Sequence, residues 1–145
     1  MMPKQVEDNA SRIVAATHGD PFSFLGMHEG AGNSVVVRAF LPGASRVRVM
    51  RAATNEIVGE LSRVHREGLF VGIVASTGRF PYRLLAEANG TEQSIDDPYS
   101  FPPILGEIDV HLIAEGRHLR LDDKLGAHPM TMEGVAGVGF TVWAP

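Results

Sequence analysis

Hydrophobic and polar positions along this chain change their period more than once. Val6, Ala10, Ile13, Val14 and Thr17 recur at helical spacing, while Glu7, Asp8 and Arg12 fall on other faces. The spacing predicts a short N-terminal helix, with Pro3 accommodated in its first turn. His18-Gly19-Asp20-Pro21 then offers a glycine and a following proline, so the helix is expected to stop there. From Ser34 the period becomes two. Val35, Val37, Ala39 and Leu41 point one way; Val36, Arg38 and Phe40 point the other.

Pro42-Gly43 turns the chain into Arg46-Val47-Arg48-Val49, which alternates basic and apolar. Ile57, Gly59 and Leu61 share one face of the next strand. Arg66-Glu67-Gly68 leads into Leu69–Val74, apolar on both faces and therefore expected at the centre of a sheet. Tyr82, Leu84 and Ala86 alternate with Arg83, Leu85 and Glu87. Asn89-Gly90 is a strong hairpin signal, because both residues tolerate the positive φ of a type I′ turn, and Thr91–Ile95 is the returning strand. Strands spaced about ten residues apart with turn residues between them predict a β-sandwich. The fold class is all-β: an immunoglobulin-like β-sandwich with a short N-terminal helix and a helical C-terminal connector.

That connector follows Asp96-Asp97-Pro98-Tyr99-Ser100-Phe101-Pro102-Pro103, whose prolines exclude a central strand and mark a boundary. Ile108, Leu112 and Ile113 predict a short helix ending near Gly116, and a second helical stretch is expected over Leu121–Leu125.

An internal repeat organises the whole. Leu25-Gly26-Met27-His28 returns as Leu125-Gly126-Ala127-His128, 100 residues on. The strand ending at Pro42 returns in Val138–Pro145, 103 residues on. In both copies a Leu-Gly-x-His turn leads through a glycine-bearing loop into an apolar strand that stops at proline, which cannot continue a ladder. The reading is one complete β-module and the opening of a second. Val138, Phe140 and Val142 are then expected to lack a sheet to join, leaving the tail unpaired and mobile from about Pro129 onward.

Composition narrows the classes. At 145 residues, 44% hydrophobic and 21% charged, the chain reads as an ordinary globular protein. A net charge of −4 speaks against nucleic acid as partner. The absence of cysteine removes thiolate metal sites and disulfides, and no apolar run is long enough to span a bilayer. A cytoplasmic location is the expectation.

Candidate chemistry is sparse. Asp96 and Asp97 are adjacent, so on a strand they point to opposite faces rather than at one another across a glycosidic bond, and an Asp-Pro turn is expected instead. The six histidines show no metal-ligand spacing, and no metal or cofactor is expected. His28 and His128 recur at matching positions, which suggests a structural hydrogen bond in the turn. Gly30-Ala31-Gly32-Asn33 lacks the context and the lysine of a phosphate loop, and no serine sits in a nucleophile elbow. Sugar rings stack on exposed aromatic faces, so Tyr82 and Tyr99 are candidate binding platforms, with a place in or capping the sheet core as the alternative for each. Trp143, the single tryptophan, reads as a core or capping residue.

Taken together, several segments resemble the start of bacterial glycogen branching enzyme. They are Asp20–His28, Val37–Pro42, Asp96–Phe101, Glu115–Arg120, Leu125–His128 and Val142–Pro145. The resemblance runs from about Ile13 to Pro145 in the family's order and is most specific from Glu115-Gly116-Arg117-His118 to Trp143-Ala144-Pro145. It implies an N-terminal β-sandwich over 1–106, a helical connector over 107–128, and from 129–145 the truncated start of a second, carbohydrate-binding-type sandwich. Enzymes of that family cut an α-1,4-glucan and rejoin the fragment through an α-1,6 bond, using carboxylates in a (β/α)₈ barrel. Such a barrel needs about 250 residues. No catalytic residue is therefore carried over.

The resemblance thus implies a non-catalytic module that helps engage α-glucan and tune transferred chain length. Its partners would be weakly held glycogen or amylose and the rest of the parent enzyme, and the piece alone would be a monomer. Two alternatives stand beside it: a free-standing glucan-binding sandwich, and a structural arm between domains that binds no sugar.

Overall fold

A computed structural model of the chain describes residues 4–144, so Pro3 and Pro145 lie outside the described residues. The chain divides into two compact units between Ser100 and Phe101, within the proline-bearing stretch.

The first unit opens with helix α1 (Lys4–Val14), followed by a 3₁₀ turn at Pro21–Ser23. Seven strands follow: β1 (Gly26–Glu29), β2 (Ser34–Phe40), β3 (Arg46–Arg51), β4 (Ile57–His65), β5 (Leu69–Ala75), β6 (Tyr82–Ala88) and β7 (Thr91–Ile95). They pair in the order β1-β2-β5-β4-β3-β6-β7, antiparallel throughout. β4 makes this curled sheet two-layered. Its residues Ile57 and Gly59–Leu61 pair with β3, whereas Ser62, Arg63 and His65 pair with β5. One strand thus passes from one layer of the sandwich to the other.

The alternation read in the sequence decides which side chains meet between the layers. Val35, Val37, Val47, Val49 and Phe70 are all but fully buried there, with Met27, Leu61, Val74 and Leu84 beside them. Burying each such side chain contributes about 1.5–3 kcal/mol. β5 is an interior strand between β2 and β4, but only one of its apolar faces is closed, since Ile73 is 73% exposed. Asn89 (φ 52°) and Gly90 (φ 76°) make the expected tight turn between β6 and β7. On the outer face, Ala10 and Ile13 of α1 cluster with Phe24, Leu25 and Leu69, and Phe40 and Val64 pack alongside. The helix therefore covers the end of the sheet where Phe40 and Leu69 are cross-strand neighbours.

Two expectations about the first unit differ from the structure. The helix ends at Val14, well before Gly19. Ala16 takes the left-handed conformation (φ 55°), and Ala16 N–H and Thr17 N–H donate to Ile13 O (3.0 Å) and Arg12 O (2.9 Å), closing a Schellman motif. The Leu-Gly-x-His segment is also more than a turn: Gly26–Glu29 form β1, paired with Val35–Arg38.

The second unit contains α2 (Glu107–Ala114), α3 (Leu121–Lys124) and a two-stranded sheet of β8 (Gly126–Met132) and β9 (Val135–Thr141). The tail expected to be unpaired from Pro129 is a hairpin. Pro129 lies opposite Val138, and pairing runs from Gly126↔Thr141 to Met132↔Val135. The turn is Glu133 (φ 52°) and Gly134 (φ 79°), the positive-φ pair of a type I′ hairpin, and proline is tolerated because β8 is an edge strand. β8 runs through position 129, so the Gly-x-His segment is itself the partner of the tail strand.

The repeat is longer in space than in sequence. The Schellman bonds of α1 recur at the end of α2, where Gly116 (φ 67°) and Arg117 donate to Ile113 O (3.0 Å) and Leu112 O (2.8 Å). Leu25 N–H donates to Pro21 O (2.8 Å), and Leu125 N–H to Leu121 O (2.7 Å). The Gly26↔Arg38 and Gly126↔Thr141 pairs reproduce the offset of 103 seen between the two strands.

Candidate functional site

The first unit brings its aromatic and acidic candidates together where β7 ends. β6 alternates, so Tyr82, Leu84 and Ala86 all face the core, and Tyr82 is 6% exposed. Its ring is core packing. As a stacking platform for sugar, Tyr82 is therefore corrected: the ring face is covered by its neighbours in the sandwich interior. Its hydroxyl donates to Asp97 Oδ2 at 2.5 Å.

Asp97 is the one buried charged residue among the described residues, at 3% exposure. Its Oδ1 accepts the Tyr99 N–H (3.0 Å), an Asx-type turn around Pro98, and its carbonyl accepts the Ser100 N–H (3.0 Å) and hydroxyl (2.6 Å). Burial pushes the Asp97 carboxyl above the usual carboxylate range, against the pull of the Tyr82 and Tyr99 donors. Burial also pushes the Tyr82 phenol far above its ordinary value, and the neighbouring Asp97 charge and the hydrogen bond to it add to the effect. Both carboxylate oxygens are occupied by protein donors, so Asp97 anchors rather than reacts. Asp96 points outward and pairs with Arg83 at 2.9 Å, as adjacent positions require.

This anchoring places Tyr99. Its ring lies edge-on to Phe22, with centroids 4.9 Å apart and planes at 64°. Phe22 is 51% exposed and Tyr99 half-buried, so the pair forms an aromatic corner reaching solvent. Gly26 makes the approach possible: a Cβ there would meet Tyr99 O at 2.8 Å, and its φ of +92° suits glycine.

The repeated histidines are structural, as their positions suggested. His28 Nε2 meets Leu25 O at 2.9 Å and His128 Nε2 meets Leu125 O at 2.8 Å. Sequence reasoning missed Phe22 and the role of Asp97. The Asp-Pro-Tyr order was a legible signal for the turn, but nothing local indicates that residue 82 supplies the other donor. No helix among the described residues is long and apolar enough to cross a membrane.

Comparison with known proteins adds the following. A family profile described as "alpha-1,4-glucan branching enzyme GlgB, N-terminal domain" matches residues 6–99. The chain is 52% identical over 139 residues to the 1,4-alpha-glucan branching enzyme GlgB of Rubrobacter xylanophilus, covering 96% of this chain and 19% of that protein. It is 48% identical over 139 residues to the enzyme of the same name from Cereibacter sphaeroides, again covering 96% and 19%. The chain thus spans about a fifth of the length of these curated relatives. Among solved structures, pullulanase from Anoxybacillus sp. LM18-11 is similar over 63% of this chain and 12% of its own, at 20% identity and a TM-score of 0.41. With the matched span enclosing β1 to β7 and the Asp97 anchor, the chain belongs to the family of N-terminal domains of the alpha-1,4-glucan branching enzyme GlgB.

Proposed function

We propose that this chain is the non-catalytic N-terminal part of a 1,4-α-glucan branching enzyme, and that its first unit engages α-glucan weakly and helps set the length of the chain transferred. The carrying observation is the identity of about half over nearly the whole chain to proteins named as branching enzymes that are some five times longer. The reaction itself, cutting an α-1,4-glucan and rejoining it through an α-1,6 bond, belongs in this reading to parts of the parent beyond the matched fifth. The chain alone is a monomer that leaves amylose unbranched, as judged by iodine staining and by α-1,6 linkage content.

The glucan contact is the aromatic corner of Phe22 and Tyr99. Tyr99 is retained from the sequence candidates, and Phe22 supplies the exposed face beside it. A shallow corner of this kind supports millimolar affinity, about −4 kcal/mol. Titration with maltoheptaose, followed by amide and aromatic chemical shifts, is expected to move Phe22, Tyr99 and their neighbours. Phe22→Ala is expected to weaken that response at least about threefold, since stacking on an aromatic face is worth roughly 1 kcal/mol. Shifts confined to another surface would remove the corner from the proposal. Absence of any response would favour the structural-arm reading, which has its own support in the way Asp97 pins the chain where it leaves β7.

A further inference from the structure

The two helix–turn–hairpin copies hold a histidine on the same frame but with different partners. His18 Nε2 lies 3.1 Å from Asn9 Oδ1, and His118 Nε2 lies 3.0 Å from Asp109 Oδ1. In each copy a backbone N–H, of Asp20 at 3.1 Å or Arg120 at 3.2 Å, donates to the ring Nδ1. A backbone amide only donates, so Nδ1 accepts and the ring proton sits on Nε2, facing residue 9 or 109.

There the likeness ends. Asp109 Oδ2 also accepts the Gly106 N–H at the start of α2 (3.1 Å) and lies 3.3 Å from Lys124 Nζ of α3. One carboxylate therefore holds the helix start, the histidine turn and α3. The His118 side chain is 8% exposed and that of Asp109 is 18% exposed, so water competes little for these bonds. Other charges nearby are paired among themselves: His111 and Arg117 with Glu115, and Arg120 with Asp123; Glu107 lies in the first turn of α2.

We propose that Asp109 is a charge-dependent clasp in the second unit: ionised, it holds α2, the His118 turn and α3 together ahead of β8, and protonated, it releases them. The first copy, with neutral Asn9, has no such dependence. The His118 bond first, then the Gly106 amide and Lys124, hold the Asp109 carboxyl down to about 2. A folded value below the ordinary one means that stability is present above the usual carboxylate range and is lost as pH falls through about 2.

The test compares the copies within one chain. Amide protection factors are measured from about pH 5 down to about pH 2, a window that spans the carboxylate titration. Arg120, Leu125 and the β8–β9 amides are expected to lose at least about fivefold in protection, while Asp20, Leu25 and the β1–β2 amides show no such loss. The first copy, which carries the same histidine frame, controls for acid effects common to both. In Asp109→Asn, which recreates the Asn9 arrangement, the second copy is expected to show no loss of protection on acidification either. The carboxyl ¹³C shift of Asp109 in the unmodified chain gives a readout that needs no variant. A titration in the ordinary carboxylate range, equal pH responses of the two copies, or an undiminished response in Asp109→Asn would each overturn the proposal.

Discussion

The chain builds one motif twice, and the two copies reach stability by different routes. In the first, β1 has four residues and joins β2 through the Gly30–Asn33 loop, yet Val35 and Val37 are fully buried because β5 and the second layer cover them. The register-equivalent Val138 and Phe140 of the second copy are 52% and 74% exposed. Its local chemistry is correspondingly better. β8 pairs over seven positions through a two-residue turn, Gly116 replaces Ala16 at the left-handed helix end, and Asp109 with Lys124 replaces a single Asn9 contact. Where tertiary burial is large, local strain is tolerated; where it is small, caps and turns carry more of the fold.

The sharpest way to break this comparison is to truncate one phenylalanine in each copy's sheet. Phe70→Ala empties a fully enclosed site and should cost about 3–5 kcal/mol in urea unfolding. Phe140→Ala removes a mostly exposed ring and should stay within about 0.5 kcal/mol. Equal losses would mean that the second hairpin is as dependent on burial as the first.

Next in size is Tyr82→Phe, which deprives the buried Asp97 carboxylate of one donor and should cost about 1–3 kcal/mol near neutral pH. The pH response has a definite sign. The Asp97 carboxyl is raised in the folded state, chiefly by burial, so its contribution is fully present below the ordinary carboxylate value and is lost as pH rises through the folded one. Asp109 responds in the opposite sense. Removing the Tyr82 donor should raise the Asp97 carboxyl further and deepen the loss as pH rises above the ordinary carboxylate value. A urea midpoint series that stays flat in both proteins would contradict this account.

The smallest expected effect tests the helix ends. Ala16 sits at φ 55°, where Cβ crowds the backbone, so Ala16→Gly should stabilise the first unit by about 0.5–1 kcal/mol. Gly116→Ala should destabilise the second by about 1 kcal/mol. Thermal unfolding of the two variants checks both signs, and a destabilising Ala16→Gly would show that the left-handed turn carries no strain.

Wherever the cause is local, the sequence alone was sufficient. Period-two alternation located β2, β3 and β6, Asn89-Gly90 specified its turn and with it the returning β7, and the recurrence of Leu-Gly-x-His marked both copies, because pleat geometry and positive φ act on neighbouring residues. The end of α1 shows the limit even of local signals: Gly19 and Pro21 were attractive, yet the chain closed the helix earlier on Ala16, with packing of Ala10 and Ile13 to hold it. What required the tertiary structure involves partners far apart in the chain. Tyr82 alternates as any half-buried strand residue would; only the folding of β7 back along β6 brings Asp97 to its hydroxyl and turns a candidate sugar platform into a core anchor. The stretch from Pro129 likewise reads as unpaired until β9 lies beside it and makes β8 an edge on which the missing proline N–H costs little. Periodicity determines which face a side chain takes, but what it meets on that face is decided by segments whose approach no local pattern encodes.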